Sequence, residues 1–146
     1  MERIINELLD WRMQFQEFKP LILTGSTPRD RVRTIKDFAK KNCENMISVN
    51  LRNNEEIREY INTHPAGYEA YLHLETTLHD MIVPQDTILI FDNADACQFE
   101  SIRDYANNLF TEEDAVFFVI CGDFTEDQLA ELGETCMLVN LPEKQQ

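Results

Sequence analysis

The sequence predicts an α/β fold, a parallel sheet of five strands covered by helices on both faces. Three observations predict it. Segments 87–92 (TILIFD) and 115–123 (AVFFVICGD) are near-continuous apolar runs, the pattern of strands buried on both faces. Shorter strand-like runs at 21–24, 46–51 and 136–141 bring the number to five. Between successive strands lie segments with apolar residues at helical spacing, an alternation that builds a parallel sheet rather than hairpins.

Taken in order, Glu2 to Phe18 carries Ile4, Ile5, Leu8, Leu9, Phe15 and Phe18 at helical spacing, and Pro20 ends that first helix. The strand over Leu21 to Thr24 enters a turn of Gly25, Ser26, Thr27 and Pro28. A helix from about Asp30 to Lys41 follows, with Val32, Ile35, Phe38 and Ala39 on one side. Met46 to Leu51 is the second strand. Asn53 with Glu56 has capping-box spacing and opens a short helix through Ile57, Tyr60 and Ile61. His64, Pro65 and Gly67 break the chain before a helix marked by Tyr68, Tyr71, Leu72, Leu78 and Ile82. Pro84 and Gln85 lead into the third strand, Thr87 to Asp92, and a helix through Ile102, Tyr105, Ala106, Leu109 and Phe110 follows. Ala115 to Asp123 is the fourth strand. Thr125 with Gln128 forms a capping box for a helix to Leu132, and Cys136 to Leu141 is the fifth strand. The core is expected to rest on Leu21, Leu23, Ile35, Phe38, Ile88, Ile90, Phe117 and Val119.

At 146 residues the chain is one domain, residues 1–146, long enough to bury a core without disulfide or metal. Its four cysteines, Cys43, Cys97, Cys121 and Cys136, form no C-x-x-C pair, and an amphipathic, acidic helix stands where a secretory leader would. The expectation is reduced thiols in the cytoplasm. No apolar run is long enough to span a bilayer as a helix. The formal net charge of −14 is uneven: residues 1–91 carry 11 Lys and Arg against 14 Asp and Glu, net −3, and residues 92–146 carry 2 against 13, net −11. Such a balance disfavours nucleic acid and anionic membrane as partners.

Strand, turn and helix over 20–40 form the setting in which a phosphate is held at a helix N-terminus. The phosphate-loop pattern is G-x-x-x-x-G-K-[ST]. Laid from Gly25, its second glycine is Asp30, its lysine Arg31 and its hydroxyl Val32. Asp30 adds a β-carbon and a negative charge where a backbone should approach a phosphate, and the broad fork of Arg31 does not match a slot for an ammonium. Pro28 removes one N–H and Asp30 is placed to cap the helix. The loop is therefore expected to satisfy its own donors, with Arg29 and Arg31 turned to solvent or to neighbouring carboxylates.

PLILTG (20–25), IKDFAK (35–40), VNLRNNEEIREYI (49–61) and ILIFDNAD (88–95) resemble the AAA+ ATPase domain of prokaryotic predicted ATPases, a P-loop NTPase fold, and the resemblance covers nearly the whole chain. It implies a three-layer α/β sheet in the order 5-1-4-3-2. It also implies a second nucleotide motif ending Asp-Glu, in which the first carboxylate helps hold magnesium and the second polarises the attacking water. Asp92 keeps the first and Asn93 replaces the second, and an amide cannot take the proton of a water. The residue sensing the terminal phosphate falls near Gly122 and Asp123, where a carboxylate opposes a polyanion. The family's helical lid has no counterpart after the fifth strand, so no lid domain is expected.

Asp92, Asp95 and Asp123 stand near strand ends, yet no histidine joins them at ligand spacing, and no metal is expected. His64, His73 and His79 match no zinc motif. Arg29, Arg33, Lys36 and Lys40 share a helix face interleaved with Asp37, read as a solvated surface. The expected function is a non-catalytic AAA+-like domain with a degenerate phosphate loop and no cofactor, a protein-interaction or regulatory module. Gly25, Asp30, Arg31, Val32, Asp92, Asn93 and Asp123 mark its vestigial nucleotide site. Two alternatives stand beside it: an atypical ATP-binding protein or ATPase using Arg31 and Asp92, and a clamp-loader-like nucleic-acid accessory domain. Asp30 and Asn93 oppose the first, and the net charge opposes the second.

Overall fold

The computed structural model describes residues 2–13, 19–83, 86–109 and 116–142. Phe15, Phe18, Pro84, Gln85, Phe110 and Ala115, all used in the sequence reading, lie outside them. In chain order the elements are α1 (Glu2–Arg12), β1 (Leu21–Gly25), α2 (Pro28–Asn42), β2 (Asn45–Asn50), α3 (Glu55–Thr63), α4 (Tyr68–Leu78), β3 (Thr87–Asp92), a 3-10 turn (Ala94–Ala96), α5 (Phe99–Asn108), β4 (Phe117–Cys121), α6 (Glu126–Leu132) and β5 (Met137–Leu141). The strands form one sheet in the order β2-β3-β4-β1-β5 with every pairing parallel. This is the expected order read from the opposite edge, with β1 between β4 and β5.

Alternation along the strands sorts the core into two layers. Leu21, Leu23, Ile88, Ile90, Phe117, Val119, Cys121, Val139 and Leu141 face α1 and α2, where Ile4, Leu8, Trp11, Ile35 and Phe38 meet them. Ile22, Ile47, Val49, Leu89, Phe91, Phe118 and Ile120 point the other way, toward apolar residues of α3, α4, α5 and α6. All eight expected core residues are buried. They belong to the first layer alone, and the second layer is the larger. Each such side chain taken out of water contributes about 1.5–3 kcal/mol before entropy is counted. α1 is fixed by Trp11, whose Nε1–H donates to the Lys19 carbonyl at 2.7 Å, and by Arg12, whose guanidinium lies 4.1 Å from the Phe117 ring centre.

Caps set the helix starts, and two differ from expectation. α3 is capped by Asn54, whose Oδ1 accepts from Ile57 N–H, rather than by Asn53. α2 begins at Pro28 and is capped by Thr27, whose Oγ1 accepts from Asp30 N–H, rather than by Asp30. A proline at the first helical position makes the residue before it the cap. The capping box of Thr125 and Gln128 is present in both directions. Ile82 lies beyond α4, buried in the loop, where its N–H donates to Glu75 Oε2 at 2.9 Å.

Candidate functional site

Parallel strands bring their C-terminal ends to one edge of the sheet, and every residue of the expected nucleotide site sits along that edge or on the first turns of α2. At the end of β1, Gly25 has φ +88, and a β-carbon there would press on the Leu141 carbonyl oxygen and on Asn140 Oδ1 of β5. The close approach of β5 and the positive φ require glycine, with no ligand involved. Ser26 is also left-handed, at φ 47, a conformation rare for a residue with a side chain. Its hydroxyl donates to Asp30 Oδ2 at 2.8 Å, a bond across the loop that occupies one oxygen of the carboxylate.

Arg31, at the position of the lysine, is wholly buried. Its Nη1 donates to the Gly25 carbonyl and to Asp123 Oδ1, both at 2.9 Å. Nε and Nη2 are buried and have no hydrogen-bond partner among the described residues. Its partner is lopsided, because the Asp123 side chain is 66 % exposed while that of Arg31 is 0 %. Asp123 is tied in turn to the end of β3, its N–H donating to Asp95 Oδ1 at 3.3 Å, and Asp95 pairs with Arg52 beyond β2 at 3.7 Å. Val32, on the turn after Arg31, is half-buried and offers no oxygen. Arg29, by contrast, is exposed on α2, as are Arg33 and Lys40.

Asp92 and Asn93 are both buried. Asn93 adopts φ 52, which Asn tolerates better than most residues. Its backbone N–H donates to Asp92 Oδ1 at 2.9 Å, and its Nδ2 donates to Asn50 Oδ1 at 2.9 Å and to Asp92 Oδ2 at 3.4 Å. Asn93 Oδ1 is buried with no partner among the described residues. Burial pushes the Asp92 carboxyl up from its ordinary range. The Asn93 N–H and the charges of Arg31 and Lys36 oppose that rise, and Asp95 adds to it. Both Asp92 oxygens are thus engaged by the residue next to it in sequence.

The sequence reading missed Ser26, Thr27 and Asn50. Only Thr27 left a signal, the Thr-Pro pair at the start of α2. Among the described residues no three His, Cys, Asp or Glu side chains come together as a metal would require. His64 and His73 instead stack on the two sides of Tyr60, at 4.0 and 3.7 Å between ring centres. The thiols are poor nucleophiles: burial raises all four, Cys97 to about 11 and Cys121 to about 12.

Beside the loop, a cavity of about 510 Å³ opens between α1, α2 and the end of β5. Ile4, Leu8, Phe38 and Leu141 line it, and Ser26 and Asp30 stand in its wall. Ile5 and Leu9 of α1 and Met13 just past its end are exposed at four-residue spacing, with Ile5 in the cavity wall.

No protein-family model and no curated protein matches this chain. Among solved structures, a chain from Drosophila ORC bound to poly(dA/dT) DNA and Cdc6 is similar to it at a TM-score of 0.52 and 7 % sequence identity. The match covers 98 % of this chain and 29 % of that one, so this chain spans under a third of its neighbour's length. With the sheet order, the likeness gives the class of fold: α/β, a five-stranded parallel sheet of the AAA+-like kind that the sequence resemblance implies. At 7 % identity it shows the fold alone. Among the described residues no helix is long and apolar enough to cross a membrane.

Proposed function

We propose that this chain is a non-catalytic AAA+-like domain whose phosphate loop is closed by its own side chains, and that it acts through contact with another protein. The observation that carries this reading is Arg31. A residue at the lysine position serves a phosphate by reaching outward, whereas this guanidinium is buried and held by the Gly25 carbonyl and Asp123. Ser26, Asp30 and Thr27 use one another in the same loop, so donors that a phosphate would need are already engaged. Around Asp92 the neighbour is an amide that donates to it, and a donor amide cannot serve as a general base. The exposed Ile5 and Leu9 of α1, with Met13 just past its end, supply an apolar surface of the kind that proteins use for contact. The net charge of −14 opposes a nucleic-acid role.

Purified protein is expected to turn over neither ATP nor GTP above background with magnesium. Turnover abolished by Asp92→Ala would replace this reading with that of an atypical ATPase. Restoring nucleotide affinity is expected to need Asp30→Gly, Arg31→Lys and Val32→Thr together, and restoring hydrolysis Asn93→Glu as well.

A further inference from the structure

We propose that α4 and the loop after it form a docking surface for a basic amphipathic segment of a partner protein, with Tyr68, Leu72, Met81 and Val83 as its apolar contacts. The inference rests on the protein-contact reading above, and names a surface and a partner chemistry for it. A surface helix of a globular domain normally keeps its apolar residues on one side. α4 does not. Ala70 and Leu74 are buried in the second core layer, while Tyr68 is 71 % exposed and Leu72, one turn further on, is exposed as well. Tyr71 stacks on Tyr68 with ring centres 6.4 Å apart, and its hydroxyl donates to the Ile82 carbonyl at 2.5 Å. That bond ties the helix to the loop beside it. Ile82 N–H donates to Glu75 Oε2, Asn45 Nδ2 donates to the Met81 carbonyl and Val83 N–H donates to Thr87 Oγ1. The backbone of 81–83 is therefore held at every residue. Ile82 is buried between two neighbours that are not: Met81 is 72 % exposed, and Val83 is exposed too. Apolar side chains presented on a fixed backbone lose little freedom on binding, and the unbranched thioether of methionine adapts to the shape it meets.

Charge decides what covers this surface. Residues 59–102 hold eight Asp and Glu and no Lys or Arg. Glu69 on α4 and Asp80 and Asp86 at the two ends of the loop are exposed, so the apolar contacts are rimmed by carboxylates. Such a surface fits a segment whose apolar side is flanked by Lys or Arg. It opposes nucleic acid and anionic membrane. A symmetric pair of copies would set two acidic rims against each other.

The full chain, isotope-labelled, is titrated with three peptides of equal length that share one row of leucines at helical spacing and differ only in a polar face of Lys, Gln or Glu. Fluorescence anisotropy gives the affinity and amide shifts give the place. The Lys peptide is expected to bind saturably at about 10–100 micromolar and to move the amides of 68–72 and 79–83. The Gln and Glu peptides, and the Lys peptide on Leu72→Ser/Met81→Ser, should each bind about tenfold more weakly or worse. That variant leaves the charge unchanged, and both replaced side chains are exposed, so it keeps the fold. No saturable binding of the Lys peptide, equal binding of the Gln peptide, or an affinity unchanged in the serine variant overturns the inference. So does self-association of wild type that the serine variant abolishes, because a second copy would then cover the face. Shifts centred on α1 overturn it as well, while leaving the protein-contact reading in place on that helix. Turnover of ATP is a different failure, that of the non-catalytic reading itself.

Discussion

The strands at the middle of the sheet and the edge where they end bury their residues by opposite means. In β3 and β4 every residue is buried, and apolar side chains on the two faces meet two separate helical layers. Phe91 and Phe118 pack edge to face with ring centres 4.9 Å apart, and nothing in that contact depends on a charge. A few ångströms along, Arg31, Asp92 and Asn93 are buried too, but each needs a polar partner and two of them keep atoms without one. The middle of the sheet is therefore over-determined. At its edge, satisfaction is partial, and changing one partner changes what the others can do.

The largest expected effect is on the apolar side of this comparison. Phe118→Ala opens a cavity between β4 and the helices on its face and should cost about 3–5 kcal/mol in urea melts, enough to leave a domain of this size marginal. A loss below about 1 kcal/mol would mean that the middle of the sheet is looser than its burial indicates.

At the edge, Arg31→Ala should cost about 2–5 kcal/mol, because it leaves a void where a long side chain was. Arg31→Met should lie within about 1 kcal/mol of wild type or above it, since a buried ion pair is often no better than an apolar side chain of similar shape. A methionine variant as unstable as the alanine variant would show that charge, rather than volume, holds this edge.

Smaller effects sharpen the account of the loop. Thr27→Ala and Thr125→Ala each remove a helix cap and should cost about 1 kcal/mol. If Thr27→Ala were neutral, the start of α2 would be held by something other than the hydroxyl at 3.1 Å from Asp30 N.

Asp92→Asn gives a shift with pH. Burial raises the folded carboxyl above its unfolded value, so the folded state holds the proton more tightly. Wild type therefore loses stability as pH rises from the unfolded value through the folded one. Melts at a series of pH values rising from the ordinary carboxylate range should show the variant gaining on wild type as pH rises. A gap that widens toward acid pH has the wrong sign for a raised carboxyl.

The same contrast explains what could be read beforehand. The runs of β3 and β4 and the capping box at Thr125 are local patterns, since each residue's role depends on neighbours a few positions away. The order of the strands was accessible only through resemblance. At the polar edge, Arg31 finds Asp123 across 92 residues, Asn93 finds Asn50 across 43, and no period in the sequence encodes either meeting. The caps of α2 and α3 failed by a different route. In each case two residues with cap chemistry stood close together, and backbone geometry chose between them: Pro28 fixed Thr27, and the turn in which Asn53 and Asn54 both donate to the Asn50 carbonyl carried the start of α3 one residue on. Gly25 was legible as a special position, although β5 accounts for it without a phosphate.

The central claim is that the loop is closed by its own residues, and titration calorimetry of the purified chain with ATP and magnesium tests it most directly. The buried, internally bonded Arg31 predicts no saturable heat up to millimolar nucleotide. Binding at micromolar concentration, lost in Arg31→Met, would contradict it.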